Sequence, residues 1–434
     1  MTSGSDSPGA GTSRYMLMSA DSHAGADIWD YKPYLAREFH EDFEVWAPAF
    51  SDPWTAFDDE LTYTDNPAIR LGITSFLSPY NWDSPKRLEH MDNQGIASEI
   101  VLPNTVPPFS SSGANTAGQP PSGEDYRRRW AGIQAHNRWL VDFCSLAPGR
   151  RAGIVQVFLG DVAAAIAEVC WAKEHGLSGV LIPSDSHIQL VNLYERRLDP
   201  FWATCEELQM PVHRHSISVG PPENPNSGPG GTAVGTHETM LFFHRGLAHL
   251  IVGGVFARHP DLKFVFVETG GEWIRPELDL MEMEFRLGTE KGHMLYPFWH
   301  RAVEDLERSP SQYFARNCYL GASLTTRRDI DARYSIGVDN IMWGADYPHH
   351  EGAWPHTTLV LRLLFSGVPE EEVRAMVGLN AARLYDMDLD LLDSIADRIG
   401  PSVDEVNRPV SRADLPSNHF SFAIVDAIQT LPTM

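Results

Sequence analysis

The chain has 434 residues, 43% of them hydrophobic and 21% charged, which supplies enough apolar material for a large core and excludes disorder as the main state. Against 34 Lys and Arg stand 58 Asp and Glu, a formal charge of −24 that repels phosphate backbones and anionic lipid surfaces, so nucleic acid and membrane partners drop out. The cysteines, Cys144, Cys170, Cys205 and Cys318, lie singly and far apart without a Cys-x-x-Cys pair, which favours a reducing cytoplasm over a disulfide framework.

Residues 1–14, MTSGSDSPGAGTSR, are small and polar and read as a disordered tail without the apolar core of a signal peptide. No later stretch approaches about 18 uninterrupted apolar residues. Eight β-rich runs then follow in order: 15–20 (YMLMSA), 98–102 (SEIVL), 153–158 (GIVQVF), 179–182 (GVLI), 210–213 continuing to 215, 262–267 (LKFVFV), 317–320 and 340–343 (NIMW). Helix-like segments alternate with them. Residues 162–175 carry apolar positions at helical spacing and stop at Gly176, and 200–208 place Phe201, Cys205 and Leu208 on one side. Parallel strands joined by crossover helices define an α/β fold, and eight such units close a (β/α)8 TIM barrel with its active site at the strand C-termini.

Three features exceed a minimal barrel over 15–385. A long insertion, about 24–97, separates the first two strands and contains a Trp- and Asp-rich stretch at 54–66. Pro-, Gly- and Ser-rich loops at 104–125 and 216–236 leave the second and fifth strand ends, where they could serve as lids. A C-terminal extension, 386–434, carries a helix-like piece at 391–399 and could wrap the barrel or a partner subunit.

The strand C-termini hold an excess of potential metal ligands: Asp21 and His23 after the first, His213 and His215 at the fifth, Glu268 at the sixth and Asp346 after the eighth. Each alone is ordinary, because Asp before Ser often caps a turn and a strand-end His is often a core group. Together they form a mixed nitrogen and oxygen donor set around one axis. Alternate residues share a side of a strand, so Asp21 and His23 point the same way. His215 lies nearer its strand end than His213, which is expected lower down, buried and hydrogen-bonded.

Over 15–385 the chain resembles the amidohydrolase superfamily, in the amidohydrolase-related branch similar to aminocarboxymuconate-semialdehyde decarboxylase. The resemblance is carried by ADSH (20–23), LQMPVHRH (208–215), FARHPDLK (256–263), WGADYPH (343–349) and NAARLY (380–385). It implies a (β/α)8 barrel with one divalent metal, usually zinc and alternatively manganese or iron, held by Asp21, His23, His215 and Asp346. Two departures stand out. The first strand has Asp-x-His where the family commonly has His-x-His, giving a harder and more negative site. Glu268, in VFVETGG, replaces a common His and is a candidate general base, with a structural acceptor or weak ligand as the other readings. The fourth-strand run GVLIPSD has no bridging Lys, which implies a mononuclear centre. Asp346 is a candidate both to bind the ion and to pass a proton. His349 is a candidate substrate contact or shuttle, unless His349, His350 and His356 only form a polar rim.

The leading functional expectation is a hydrolase cleaving a carbon–nitrogen bond, amide, amidine or peptide-like, with the metal activating water. The loops and the Trp-rich insertion suit a bulky or peptidic substrate such as a natural-product intermediate. The alternative is a non-oxidative decarboxylase of an aromatic or unsaturated carboxylic acid, whose carboxylate an Arg would read; Arg70, Arg87 and Arg128 lie in candidate rim segments. A second alternative is a non-catalytic binding barrel, motivated by Asp21 and Glu268. The branch also implies a homo-oligomer.

Overall fold

Short runs of Val, Ile, Leu, Phe and Met form the strands because both faces are covered, the outer by helices and the inner by the opposite wall. In the structure, a computed structural model, residues 13–50, 78–103, 107–110, 123–184, 191–216, 228–417 and 419–432 are described. The strands are β1 (Leu17–Ser19), β2 (His23–Ala24), β3 (Ile96–Pro103), β4 (Arg151–Gln156), β5 (Gly179–Leu181), β6 (Val212–His215), β7 (Phe264–Val267), β8 (Cys318–Ala322) and β9 (Ile341–Trp343). All pairings are parallel, in the order β1-β3-β4-β5-β6-β7-β8-β9, with β2 prolonging the first strand's path by pairing with β3. The last strand returns beside the first: Ala20 N donates to Trp343 O at 2.9 Å and Asp346 N to Asp21 O at 2.8 Å. The eight expected runs are therefore the eight staves of a TIM barrel.

Inner and outer side chains alternate as the pleat demands. Val265 and Val267 of β7 join Met18, Ile100, Ile154, Leu181 and Met342 inside the barrel, while Phe264 and Phe266 face the helix layer. The expected helices appear as Val162–Glu174, capped by Asp161 and stopped at Gly176 with φ +83°, and Asp199–Glu207, burying Phe201 and Cys205.

The extension packs on its own barrel. Leu392, Ile395 and Ala396 of the helix Leu389–Ile399, with Ala381, Ala382 and Tyr385, enter the inner core at the strand N-termini. The helix Phe422–Thr430 adds Ala423 and Ile424 to the outer core. Arg14, read within the N-terminal tail, bridges to Ser402; residues 1–12 of that tail lie outside the described residues.

Two loop expectations differ from the structure. Residues 228–236, read as loop, begin the helix Gly228–Ile251: once the apolar stripe of Phe243, Leu247, Leu250 and Ile251 is anchored, extending a helix costs far less than starting one, even through glycines. The stretch Met240–Arg258 is apolar enough by length and composition to cross a membrane, yet its stripe is buried against the barrel as a core helix. Of the loop 104–125, residues 104–106 and 111–122 lie outside the described residues, as do 217–227 of the other loop and the Trp-rich 54–66. Phe109 packs on Phe39, Phe43 and Trp46, which fastens the described part of the insertion over the β3 end.

Candidate metal centre

Strand ends bring Asp21, His23, His215, Glu268 and Asp346 into one buried cluster at the C-terminal mouth, all at most 1% exposed. Asp21 follows β1 in a turn fixed by Ser19, whose hydroxyl donates to Asp21 O at 2.7 Å and accepts from Ala345 N at 2.8 Å. Gly344 is required opposite, since a Cβ there would lie 2.7 Å from Asp21 Cβ. Glu268 and Asp346, each just past a strand end, adopt left-handed backbone angles, φ +56° and +53°. Such strain in non-glycine residues costs on the order of 1–3 kcal/mol and collects at functional sites.

The donor atoms converge. His23 Nε2 lies 3.2 Å from Asp21 Oδ1, 3.4 Å from Asp346 Oδ1 and 3.4 Å from His215 Nε2. Outer atoms are held separately: Pro103 O lies 3.1 Å from His23 Nδ1, and the Ser323 hydroxyl donates to Asp21 Oδ2 at 2.6 Å. Glu268 Oε2 approaches His215 Nδ1 at 2.9 Å without hydrogen-bond alignment. Asp21 Oδ1, both oxygens of Asp346 and both of Glu268 meet no hydrogen-bond donor among the described residues. Buried carboxylate oxygens in that condition are costly unless a cation completes them. Three overlapping groups could hold an ion: Asp21, His23 and His215; His23, Asp346 and His349; and Glu268, Asp346 and Glu351.

Charge coupling follows from the crowding. Burial pushes the Asp21 carboxyl up, but His215 and His23 outweigh it and hold it well below the usual carboxylate range. Burial opposes charge on His23, yet Asp21 and Asp346 raise it to about 9. Burial, and then the neighbouring charges of Asp346 and Asp21, drive Glu268 well above the ordinary range.

His349 joins the cluster, stacked on His23 with centroids 4.2 Å apart and its Nδ1 2.9 Å from Asp346 Oδ1. His350 and His356 face Phe420 and His419 on the rim. His213 sits lower in the barrel, with Nε2 2.6 Å from the Tyr385 hydroxyl and Nδ1 3.2 Å from Val180 O, and burial pushes it down to about 4.

Neither of the two described arginines is placed to read a substrate. Arg87 is fully buried, donates to both Glu99 oxygens and to His23 O at 2.6 Å, and so braces the site from outside. Arg128 is part-exposed and pairs with Asp42 at 2.8 Å; Arg70 lies outside the described residues. Sequence reasoning missed Ser323 and Glu351. Nothing marks a lone Ser after a strand, and Glu351 hides in the polar run HHEG. It reaches the centre because Gly352 lets the chain turn back against Ala345 O and Asp346 O, each only 2.6 Å from where a Cβ would stand.

An amidohydrolase family profile matches residues 101–387. The chain is 27% identical over 275 residues to a gamma-resorcylate decarboxylase of Rhodococcus jostii, covering 58% of this chain and 75% of that one. In fold it is similar to an amidohydrolase of Mycobacterium avium subsp. paratuberculosis (TM-score 0.60, 21% identity, 86% of this chain and 99% of that one). It is also similar in fold to the 5-carboxyvanillate decarboxylase of Novosphingobium aromaticivorans solved with manganese and 4-hydroxy-3-methoxy-5-nitrobenzoic acid (TM-score 0.59, 19% identity, 86% and 97%). These findings correct the expectation of a carbon–nitrogen hydrolase, since the relative matched in sequence is a decarboxylase. One ligand set serves both reactions, and what differs is whether water attacks or a proton arrives at carbon, which the ligand motifs do not encode.

Proposed function

The chain belongs to the amidohydrolase family, and from that premise we propose that it is a metal-dependent, non-oxidative decarboxylase of a hydroxylated aromatic carboxylic acid. The sequence relationship to a resorcylate decarboxylase carries the choice of reaction. The residues fit a divalent ion: Asp21, His23, His215 and Asp346 present facing donor atoms, and the inward Asp21 and Asp346 oxygens meet no hydrogen-bond donor. Two carboxylates beside two imidazoles form a harder set than thiolate-rich zinc sites, and manganese is the ion bound in a similar fold. We therefore take manganese ahead of zinc as the ion to load.

Decarboxylation exchanges a carbon–carboxylate bond for a carbon–hydrogen bond: carbon dioxide leaves and one proton reaches the ring carbon. A bound divalent ion supplies positive charge to the substrate's oxygens while that bond breaks. Asp346 and His349, whose Oδ1 and Nδ1 lie 2.9 Å apart, hold and pass the proton in this reading. Stacking on His23 fixes the His349 ring, and the buried mouth excludes bulk water from the developing carbanion. With no water to activate, Glu268 is not needed as a general base.

The test is product analysis of manganese-loaded protein with a panel of hydroxybenzoates in deuterated water. Carbon dioxide should form, and one deuterium should replace the carboxylate. Asp346→Asn should slow this on the order of 10²–10³-fold, the scale of losing a main electrostatic group. Turnover of amides with no carbon dioxide from any acid would sink the reading.

A further inference from the structure

The loop between β9 and the helix Thr357–Phe365 carries Asp346 and His349. Its first residues are tied to the first strand's path, Asp346 N donating to Asp21 O at 2.8 Å and His23 N to Tyr347 O at 2.7 Å. Beyond them the backbone folds on itself: His349 N donates to Asp346 O at 2.9 Å, Gly352 N to His349 O at 3.1 Å and Ala353 N to Ala345 O at 2.8 Å. Among the described residues these bonds fix the shape of the loop, and its seat on the barrel mouth is left to side chains.

Side chains grip it from two directions. From the barrel, His90 of the helix Ser84–Asn93 stacks on Trp354 with centroids 5.1 Å apart, and its Nδ1 lies 2.8 Å from the Tyr347 hydroxyl. From outside comes the C-terminal extension. The Phe420 ring meets His350 edge-on at 5.5 Å, and His419 meets His356 at 5.1 Å. Ser421 N donates to His419 Nδ1 at 3.0 Å, so the hydrogen of the neutral ring stands on Nε2, 3.3 Å from Trp354 O. His419 is 4% exposed, and burial pushes it down to about 4, which preserves that neutral ring. His350, under Phe420, stands between His349 and Glu351 in the chain, with Nε2 3.5 Å from Glu351 Oε2.

The extension is itself anchored on both sides of this pair. Before it, Arg362 of the helix Thr357–Phe365 donates to Arg408 O at 3.2 Å and to Pro409 O at 2.6 Å. After it, the helix Phe422–Thr430 packs on Thr357–Phe365 and buries Ala423, Ile424 and Ala427. Most of the conformational entropy of placing His419 and Phe420 is thus offset by anchors that touch no part of the centre.

We propose that His419 and Phe420 are positioning residues for the metal centre, seating the loop from its outer side so that Asp346 and His349 stay at the barrel mouth. Both lie outside the stretch matched by the family profile, 101–387, so the seat is supplied by this chain's extension rather than by the barrel. The inference deepens the proposed function and rests on that reading for the ion, not for the reaction.

The experiment is native-state hydrogen exchange of the chelator-stripped full chain, together with its manganese affinity by equilibrium dialysis, for wild type, Phe420→Ala, His419→Ala and Phe420→Tyr. In both alanine variants the amides of 346–356 should exchange about tenfold faster while those of the barrel strands keep their rates. The manganese dissociation constant should rise roughly tenfold, the lower end of what losing an outer partner costs. Phe420→Tyr keeps the ring and should match wild type in both. If Phe420→Ala does not fold, Phe420→Leu replaces it with the same expectation. Unchanged exchange over 346–356, faster exchange there at unchanged manganese affinity, or equally faster exchange in the strands each overturns the proposal while leaving the metal centre standing. Wild type that binds no manganese overturns the ion of the proposed function and this inference together.

Discussion

His213 and His215 stand two residues apart on β6, on the same side of the strand, and are held in opposite ways. His213, toward the strand N-termini, has a partner at each ring nitrogen, Tyr385 and Val180, and burial keeps it neutral. His215, at the other end, faces His23, Asp21 and Glu268 with no aligned hydrogen bond at Nδ1. The contrast extends to the whole faces. The N-terminal floor is closed by Leu392, Ile395, Ala396 and Tyr385; the C-terminal mouth concentrates carboxylates whose oxygens meet no donor among the described residues. Packing is thus supplied at one end of the barrel, and the other holds crowded carboxylates in readiness for a ligand.

Substitutions at the two ends should separate stability from ion binding. The largest effect is expected at the floor: Leu392→Ala removes a fully buried side chain and should lower unfolding free energy by about 2–5 kcal/mol, measured by denaturant titration, with manganese per chain unchanged. An accompanying loss of the ion would break the separation. At the mouth, Ser323→Ala removes the donor to Asp21 Oδ2 and should weaken manganese binding by roughly 10–100-fold, about 1.4–2.7 kcal/mol, while the unfolding midpoint of the metal-free protein stays near wild type. Unchanged affinity would mean that Asp21 needs no orientation.

A third test sharpens the comparison through pH. The pKa of His213 is lowered in the folded state from 6.5 to about 4, so the native state binds fewer protons than the unfolded one. Its contribution is present in full above pH 6.5 and is lost as pH falls toward 4. His213→Gln should therefore flatten the fall of stability across that window by up to about 1.4 kcal/mol per pH unit, the slope of one proton. An unaltered slope would place the acid sensitivity elsewhere.

Much of this was legible in the sequence. The pleat puts alternate residues on one face, so the apolar runs located all eight barrel strands, and the position of His215 relative to His213 separated the mouth residue from the one lower in the barrel. Arg87 could not be placed from sequence, because an Arg read in one dimension does not reveal that Glu99, across the wall, takes its guanidinium. Ser323 and Glu351 escaped because they matter only through what lies opposite them, Asp21 and Asp346, and neither carries a motif. The reaction was misjudged for a related reason: the ligand types are common to hydrolysis and decarboxylation.

The sequence by itself determined the period of the strands, and with it the barrel and the axial donor set, since periodicity and strand-end position are local properties of the chain. Tertiary structure decided the rest. It set the closeness of Asp21, Glu268, Asp346 and Glu351, the left-handed turns that aim two of them, and the satisfaction of one β6 histidine while its neighbour is left for a ligand. Those depend on through-space distance between segments as far apart as Asp21 and Ser323, and electrostatic and hydrogen-bond energies follow that distance rather than order along the chain.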